Sequence, residues 1–364
     1  MKKRSTLISG RRFLLLIVAL SLIILVAVYY ITDIRQTETP VYSCYLDYDS
    51  KGSKEEPQQL EDVLFADIKP TPGNSIFFLE TKCNCSNHRY SILNFTAHQA
   101  CAVEAAALHH SSYDVFVLFA CPTIRQQNDP ILDAMLSYEN VQIRSVNLWR
   151  FAEGSPIEDW LKKDDLFRTE FLMINISDLL RLLTLYRYGG IYLDEDVIMF
   201  QSLEDEVPNF MGAETNTSIG NSVLGLEPDG FGHMVAELLL NDFQRNYLGN
   251  VWAHNGPKLL VRMMTRICGT NDVNAMQEDS NICHGIKVFD INAFYEINWT
   301  ERSRFFHKQF ADETLKRLKD SYAMHTWNHI KTNWPFRVGS SSAYMQLVAQ
   351  HCPRVFAATG KYFT

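Results

Sequence analysis

Residues 176–200 read ISDLLRLLTLYRYGGIYLDEDVIMF. Leu179, Leu182, Leu183 and Tyr186 recur at helical spacing and make one apolar face. Ser177 or Asp178 is the candidate helix N-cap, and Gly189-Gly190 stops the helix. Ile191-Tyr192-Leu193 then opens a strand that runs into Asp194-Glu195-Asp196. On an extended chain residues i and i+2 point the same way. Asp194 and Asp196 therefore aim at one point, and Glu195 faces elsewhere. Two hard carboxylates at the end of a buried strand suit a divalent cation, Mn²⁺ or Mg²⁺. The carboxyl end of a parallel strand is also where open α/β sheets bind ligands.

An isolated acidic triplet is more often a solvated turn. Here Val197-Ile198-Met199-Phe200 follows at once, so the triplet sits at a break in a buried strand, where unpartnered carboxylates are costly. Asp178 and Arg181 are three apart and share a helix face. Spacing alone leaves two readings open: a weak surface ion pair, or a polar pair at the helix start that hydrogen-bonds a polyhydroxyl ligand beside the metal site.

Outward from this segment, residues 76–79, 115–119 and 141–146 read as apolar strands, and the Ala-rich stretch 101–109 as a helix. Alternation of the two predicts an α/β domain with a parallel sheet and crossovers. Within the 364 residues, 46% are apolar and the formal charge is −8. That balance fits a folded protein and gives no basic footprint for nucleic acid.

Residues 13–32 carry no charge, and Lys2, Lys3, Arg4, Arg11 and Arg12 precede them. About 20 apolar residues span a bilayer as a helix, and the positive flank belongs on the cytosolic side. The expected organisation is a cytosolic tail (1–12), a transmembrane signal-anchor helix (13–32), a Pro-rich polar stem (33–74) and a lumenal catalytic domain (75–364). A cleaved signal peptide would have a shorter apolar core. The eight cysteines all follow the span, where an oxidising lumen permits disulfides. So do five N-x-S/T sequons at Asn84, Asn94, Asn175, Asn216 and Asn298, of which Asn84, Asn94, Asn216 and Asn298 are the glycosylation candidates.

S-D-L-L-R (177–181) followed by Y-G-G-I-Y-L-D-E-D (188–196) resembles the sugar-binding region of D-x-D glycosyltransferases related to yeast-type mannosyltransferases and clostridial glucosylating toxins. H-N-G-P-K-L-L-V-R (254–262), Cys268 and Cys283, F-Y-E-I-N-W (294–299), Y-A-M-H-T-W-N (322–328) and H-C-P (351–353) resemble the C-terminal region of the α1,4-glycosyltransferases. The likeness runs in consistent order over residues 76–356. It implies a GT-A-type domain with a Rossmann-like mixed sheet, a UDP-sugar donor, Mn²⁺ dependence, retention of anomeric configuration and a Golgi type II membrane topology.

By position, the resemblance makes Asp194 and Asp196 the catalytic pair that holds a metal against the UDP diphosphate, with His325 as a further metal or phosphate ligand. Asp178 and Arg181 contact donor-sugar hydroxyls, and Gly189, Gly190 and Tyr192 approach the donor. His325 and Trp327 close the nucleotide site, while Asn221, Asn255 and Gly256 shape the acceptor side. Cys268 and Cys283 occupy the place of a family cysteine pair. Glu195 departs from the small hydroxyl residue of many relatives, and Ile219-Gly220-Asn221-Ser222 is ordered differently from theirs. The expected donor is UDP-galactose, UDP-N-acetylgalactosamine or UDP-N-acetylglucosamine, and the acceptor a glycolipid or glycoprotein glycan. Sequence alone fixes neither choice, nor the oligomeric state. The alternative class is a non-catalytic lumenal sugar-binding or escort protein with the same fold.

Overall fold

The computed structural model describes residues 15, 20–26, 45, 58–83, 90–163, 165–327 and 336–363. Residue 15 and residues 20–26 are helical. The rest of the expected anchor, the cytosolic tail and most of the stem lie outside the described residues. Among the described residues no helix is long and apolar enough to cross a membrane.

A seven-stranded sheet carries the domain. Its strands are β1 (Ser75–Glu80), β2 (Asp114–Phe119), β3 (Val141–Ser145), β4 (Gly190–Leu193), β6 (Phe210–Thr215), β7 (Ser218–Leu226) and β8 (Lys287–Phe289), in the order β8-β6-β7-β4-β1-β2-β3. Strands β4, β1, β2 and β3 run parallel, as do β8 and β6. Strand β7 is antiparallel to both β4 and β6, so the sheet is mixed rather than wholly parallel. Val197–Met199 (β5) leaves this sheet and pairs antiparallel with Ala323–His325 (β9).

Alternation along β1 splits the core into two layers. Phe77 and Leu79 face one side, where α2 (Leu172–Tyr188), α3 (Gly230–Arg245) and α4 (Pro257–Cys268) pack. Ile76 and Phe78 face the other, covered by α1 (Ala97–His109) and α5 (Ala343–His351). A strand buried on both faces reads as a continuous apolar run, which is why residues 76–79 were legible. Helix α1 starts on a capping box between Thr96 and Gln99.

Leu60, Val63 and Ala66 lie in the stretch expected to be stem, yet they are buried. Leu60 N–H donates to Thr123 O and Val63 N–H to Ser145 O, each at 2.9 Å. The folded body therefore begins by residue 58, because this polar-looking segment carries apolar side chains that cover the β3 edge. Cys268 and Cys283 form the expected disulfide. Cys83–Cys121 and Cys101–Cys352, the latter 251 residues apart, are two more that the sequence did not reveal.

Candidate active site

Helix α2 begins at Leu172, so Ser177 and Asp178 are not its cap but lie inside it. Its first described residues bring no side-chain cap; the N-cap position is Phe171. Asp178 and Arg181 are consequently core residues, 3% and 5% exposed, which excludes the surface-pair reading. Arg181 is held at five acceptors. Nη1 donates to Asp194 Oδ1 at 2.9 Å and to Asn221 O at 2.7 Å, Nη2 donates to Ser177 Oγ at 2.7 Å and pairs with Asp178 Oδ1 at 3.4 Å, and Nε donates to Ser177 O at 3.2 Å. Burial works against its charge, but Asp194, Tyr192 and Asp178 outweigh it and raise its pKa. Asp178 accepts from Asn221 Nδ2 at 2.9 Å. Burial, with Asp194 adding to it, pushes Asp178 up to about 6 against Arg181 and Asn221.

Asp194, Glu195 and Asp196 do not continue strand β4. Val197 N–H donates to Asp194 O at 3.0 Å, closing a turn that carries the chain out of the main sheet into β5. Asp194 and Asp196 converge as the alternation argument expected, but through this turn rather than through strand pleat. Glu195 points the other way, to Gln99 at 2.6 Å. Strand β9 brings His325 opposite Val197, and its Nε2 lies 3.0 Å from Asp196 Oδ1. One ligand atom each of Asp194, Asp196 and His325 falls within 4.8 Å of the others. Two carboxylate oxygens and an imidazole nitrogen are a donor set that fits a Mn²⁺-like cation. Burial opposes a proton on His325, yet Asp196, Asp194 and Glu214 raise its pKa. Asp178, Arg181, Asn221, Asn255 and Gly256 line a small cavity beside this triad.

Two family models match the chain: "Glycosyltransferase sugar-binding region containing DXD motif" over residues 96–217 and "Alpha 1,4-glycosyltransferase conserved region" over 228–359. The human (Homo sapiens) α1,4-N-acetylglucosaminyltransferase is 26% identical over 264 residues, 71% of this chain and 74% of that protein. Among solved structures, the PaToxG glycosyltransferase is 14% identical with a TM-score of 0.39, covering 80% of this chain and 90% of that one. At that score the likeness carries no weight, and the fold rests on the strand order above. The mouse (Mus musculus) lactosylceramide 4-α-galactosyltransferase is 31% identical over 294 residues, 80% of this chain and 77% of that protein.

The chain belongs to the α1,4-glycosyltransferase family. As a glycosyltransferase it brings together Asp178, Arg181, Asp194 and Asp196 from the first matched region, His325 from the second, and Asn221 from the stretch between them. Three other expectations need correction. Gly189 and Gly190 sit at the start of β4, about 13 Å of strand away from the acidic turn at its far end. Their positive φ values serve packing: an added Cβ would lie 2.5 Å from Pro228 N and 2.3 Å from Ser75 O respectively. Tyr192 is 1% exposed and lies beneath the site. Its hydroxyl donates to Asp194 Oδ1 at 2.5 Å, and its ring takes the Arg181 guanidinium at 4.6 Å. Trp327 is buried against His325, with ring centroids 4.1 Å apart, and its Nε1–H donates to Ile297 O. Both aromatics support site residues from within the core.

Of the residues expected on the acceptor side, Asn255 spends its amide on Asn175 Oδ1 and Leu248 O, pinning the loop before α4. Gly256 packs so closely that a Cβ would meet Asp178 Oδ1 at 2.6 Å. Sequence reasoning missed Ser177, Glu80 and Gln99 as parts of this assembly. Ser177 stands one helical turn before Arg181, a spacing that signals a shared face. Nothing local marks Gln99.

Proposed function

We propose that the chain is a retaining α1,4-glycosyltransferase. It moves galactose or an N-acetylhexosamine from a UDP-sugar to the terminal sugar of a glycosphingolipid or other glycan. The observation that carries this reading is the convergence of Asp194, Asp196 and His325 next to the buried Asp178–Arg181–Asn221 group. The three convergent side chains would hold Mn²⁺ or Mg²⁺, which supplies Lewis-acid stabilisation of the UDP leaving group. Asp178, Asn221 and Arg181 form a fixed, hydrogen-bonded polar wall suited to sugar hydroxyls, since preorganised dipoles cost no reorganisation during reaction. A Golgi membrane, type II placement with a lumenal catalytic domain fits the uncharged stretch 13–32 and its basic flank.

The test is transfer by the full chain in detergent from each of the three UDP-sugars to lactose-terminated lipid and to free glycans, with Mn²⁺ and with chelator. Metal-dependent transfer to one donor–acceptor pair is expected. Asp196→Ala should lower it by about 10²–10³, the scale of a lost electrostatic catalytic group, with the fold intact. Transfer that persists in chelator, or an Asp196→Ala enzyme as active as wild type, sinks the reading.

A further inference from the structure

Glu80 ends β1, and Glu195 is the middle residue of the acidic turn that follows the neighbouring strand β4. One side-chain amide joins them. Gln99 Nε2 lies 2.8 Å from Glu80 Oε2 and 2.6 Å from Glu195 Oε2. An amide NH₂ has two protons, so each carboxylate receives one. The amide is fixed in that sense by the capping box of α1: Gln99 Oε1 accepts from Thr96 N–H at 3.0 Å and from Thr96 Oγ1 at 2.9 Å. Glu80 has a further donor in Lys82 N–H at 2.6 Å. Glu195 has none among the described residues; its Oε1 is shut off from solvent without a partner.

We propose that Gln99 is a positioning residue for the metal site. By donating to both carboxylates it fixes Glu195, and with it the turn that brings Asp194 and Asp196 together. The inference rests on the cation reading given above. Four carboxylates (Glu80, Asp194, Glu195 and Asp196) crowd two adjacent strand ends. A buried carboxyl that loses its donor is left with unsatisfied oxygens, which is strongly disfavoured. Without the amide, Glu195 moves away from Glu80, and the backbone between the two aspartates moves with it. Partners of this kind behind metal ligands are typically worth about 10–100-fold in affinity.

The measurement is Mn²⁺ binding to the full chain in detergent with saturating UDP, followed by the electron paramagnetic resonance signal of free Mn²⁺. Thermal melting checks the fold of each variant. Gln99→Met keeps the volume and removes both donors; its Kd for Mn²⁺ should rise roughly tenfold or more. Adding Glu195→Met to it removes the carboxyl left without a donor and should recover most of the loss, since replacing both partners of a buried hydrogen bond costs little; a merely structural defect would not allow that. Gln99→Asn, which withdraws the amide by one methylene, should fall between wild type and Gln99→Met, and it carries the test should Gln99→Met not fold. An unchanged Kd in the folded Gln99 variants, or a double variant as weak as the single one, overturns the proposal. Failure of wild type itself to bind Mn²⁺ with UDP overturns the cation reading and this inference together.

Discussion

Arg181 on α2 and Asp194 after β4 form one ion pair across the floor of the site, with Nη1 2.9 Å from Oδ1 and the Arg181 side chain only 6% exposed. The first acidic residue of the turn is thus oriented by a helix thirteen residues earlier in the chain. Breaking a buried pair by removing one partner costs about 3–5 kcal/mol.

From this pair we predict that Arg181→Leu destabilises the protein by about 3–5 kcal/mol and abolishes transfer. Arg181→Lys keeps the charge but not the planar fork that serves Ser177, Asp194 and Asn221 together. It should fold, with most of the activity gone. Urea unfolding followed by activity assay checks both, and a fully active Arg181→Lys enzyme would contradict the role given to the fork.

Asp178 gives a prediction in pH. Its pKa is raised to about 6 from an ordinary 3.8, so holding it ionised at pH 7 costs up to about 3 kcal/mol, at 1.36 kcal/mol per unit. Asp178→Asn should therefore be more stable than wild type at pH 7 while losing donor binding. A carboxyl whose folded pKa is raised regains stability as pH falls through that pKa. The advantage of the variant should shrink below pH 6 and vanish near pH 4. A constant advantage from pH 4 to 7 would show that charge burial is not its cause.

Gly190 tests a corrected assignment. With φ at +81° and an added Cβ 2.3 Å from Ser75 O, Gly190→Ala should cost at least about 2 kcal/mol, since the left-handed region alone costs roughly 1–2. The folded fraction should keep its KM for the UDP-sugar. A raised KM without loss of stability would return this glycine to the donor site.

The strands at 76–79 and 115–119 were legible because both faces are covered and the sequence is apolar throughout. The acidic turn was legible because apolar runs flank it. What could not be read was how side chains are used. Asp178 was assigned to a helix end because Ser and Asp side chains favour the N-cap; the helix nonetheless extends back to Leu172, which lies with Ile176 and Leu179 in one core cluster. Tyr192 and Trp327 were placed at the donor by the resemblance, yet their polar tips are consumed within the protein. Gly189 and Gly190 were correctly read as a close approach, but the approaching backbone is the protein's own.

The sequons also separate by structure. Asn175 is 3% exposed and bonds Thr169, Gly249 and Asn255. It should carry no glycan, whereas Asn94 and Asn216 are exposed and open to the transferase. Asn298 is half-buried, its side-chain oxygen capping Thr300 and Glu301, and Asn84 lies outside the described residues. Glycopeptide mapping of protein from a secretory host checks this, and a glycan on Asn175 would contradict the packing around α2.

The Cys101–Cys352 bond has a consequence for the order in which the domain is made. Synthesis runs from the N-terminus, so all seven strands of the sheet have been produced before Cys352 is added. Until then α1 must dock with its covalent partner missing. The buried thiol of Cys101 meanwhile competes for Cys83 and Cys121, which are close in sequence and available first. Thiolate exchange can correct such a mispairing, but only after Cys352 arrives. Cys352 thus acts as a checkpoint on the whole fold, and a chain that stops short of it leaves helix α1 unlatched.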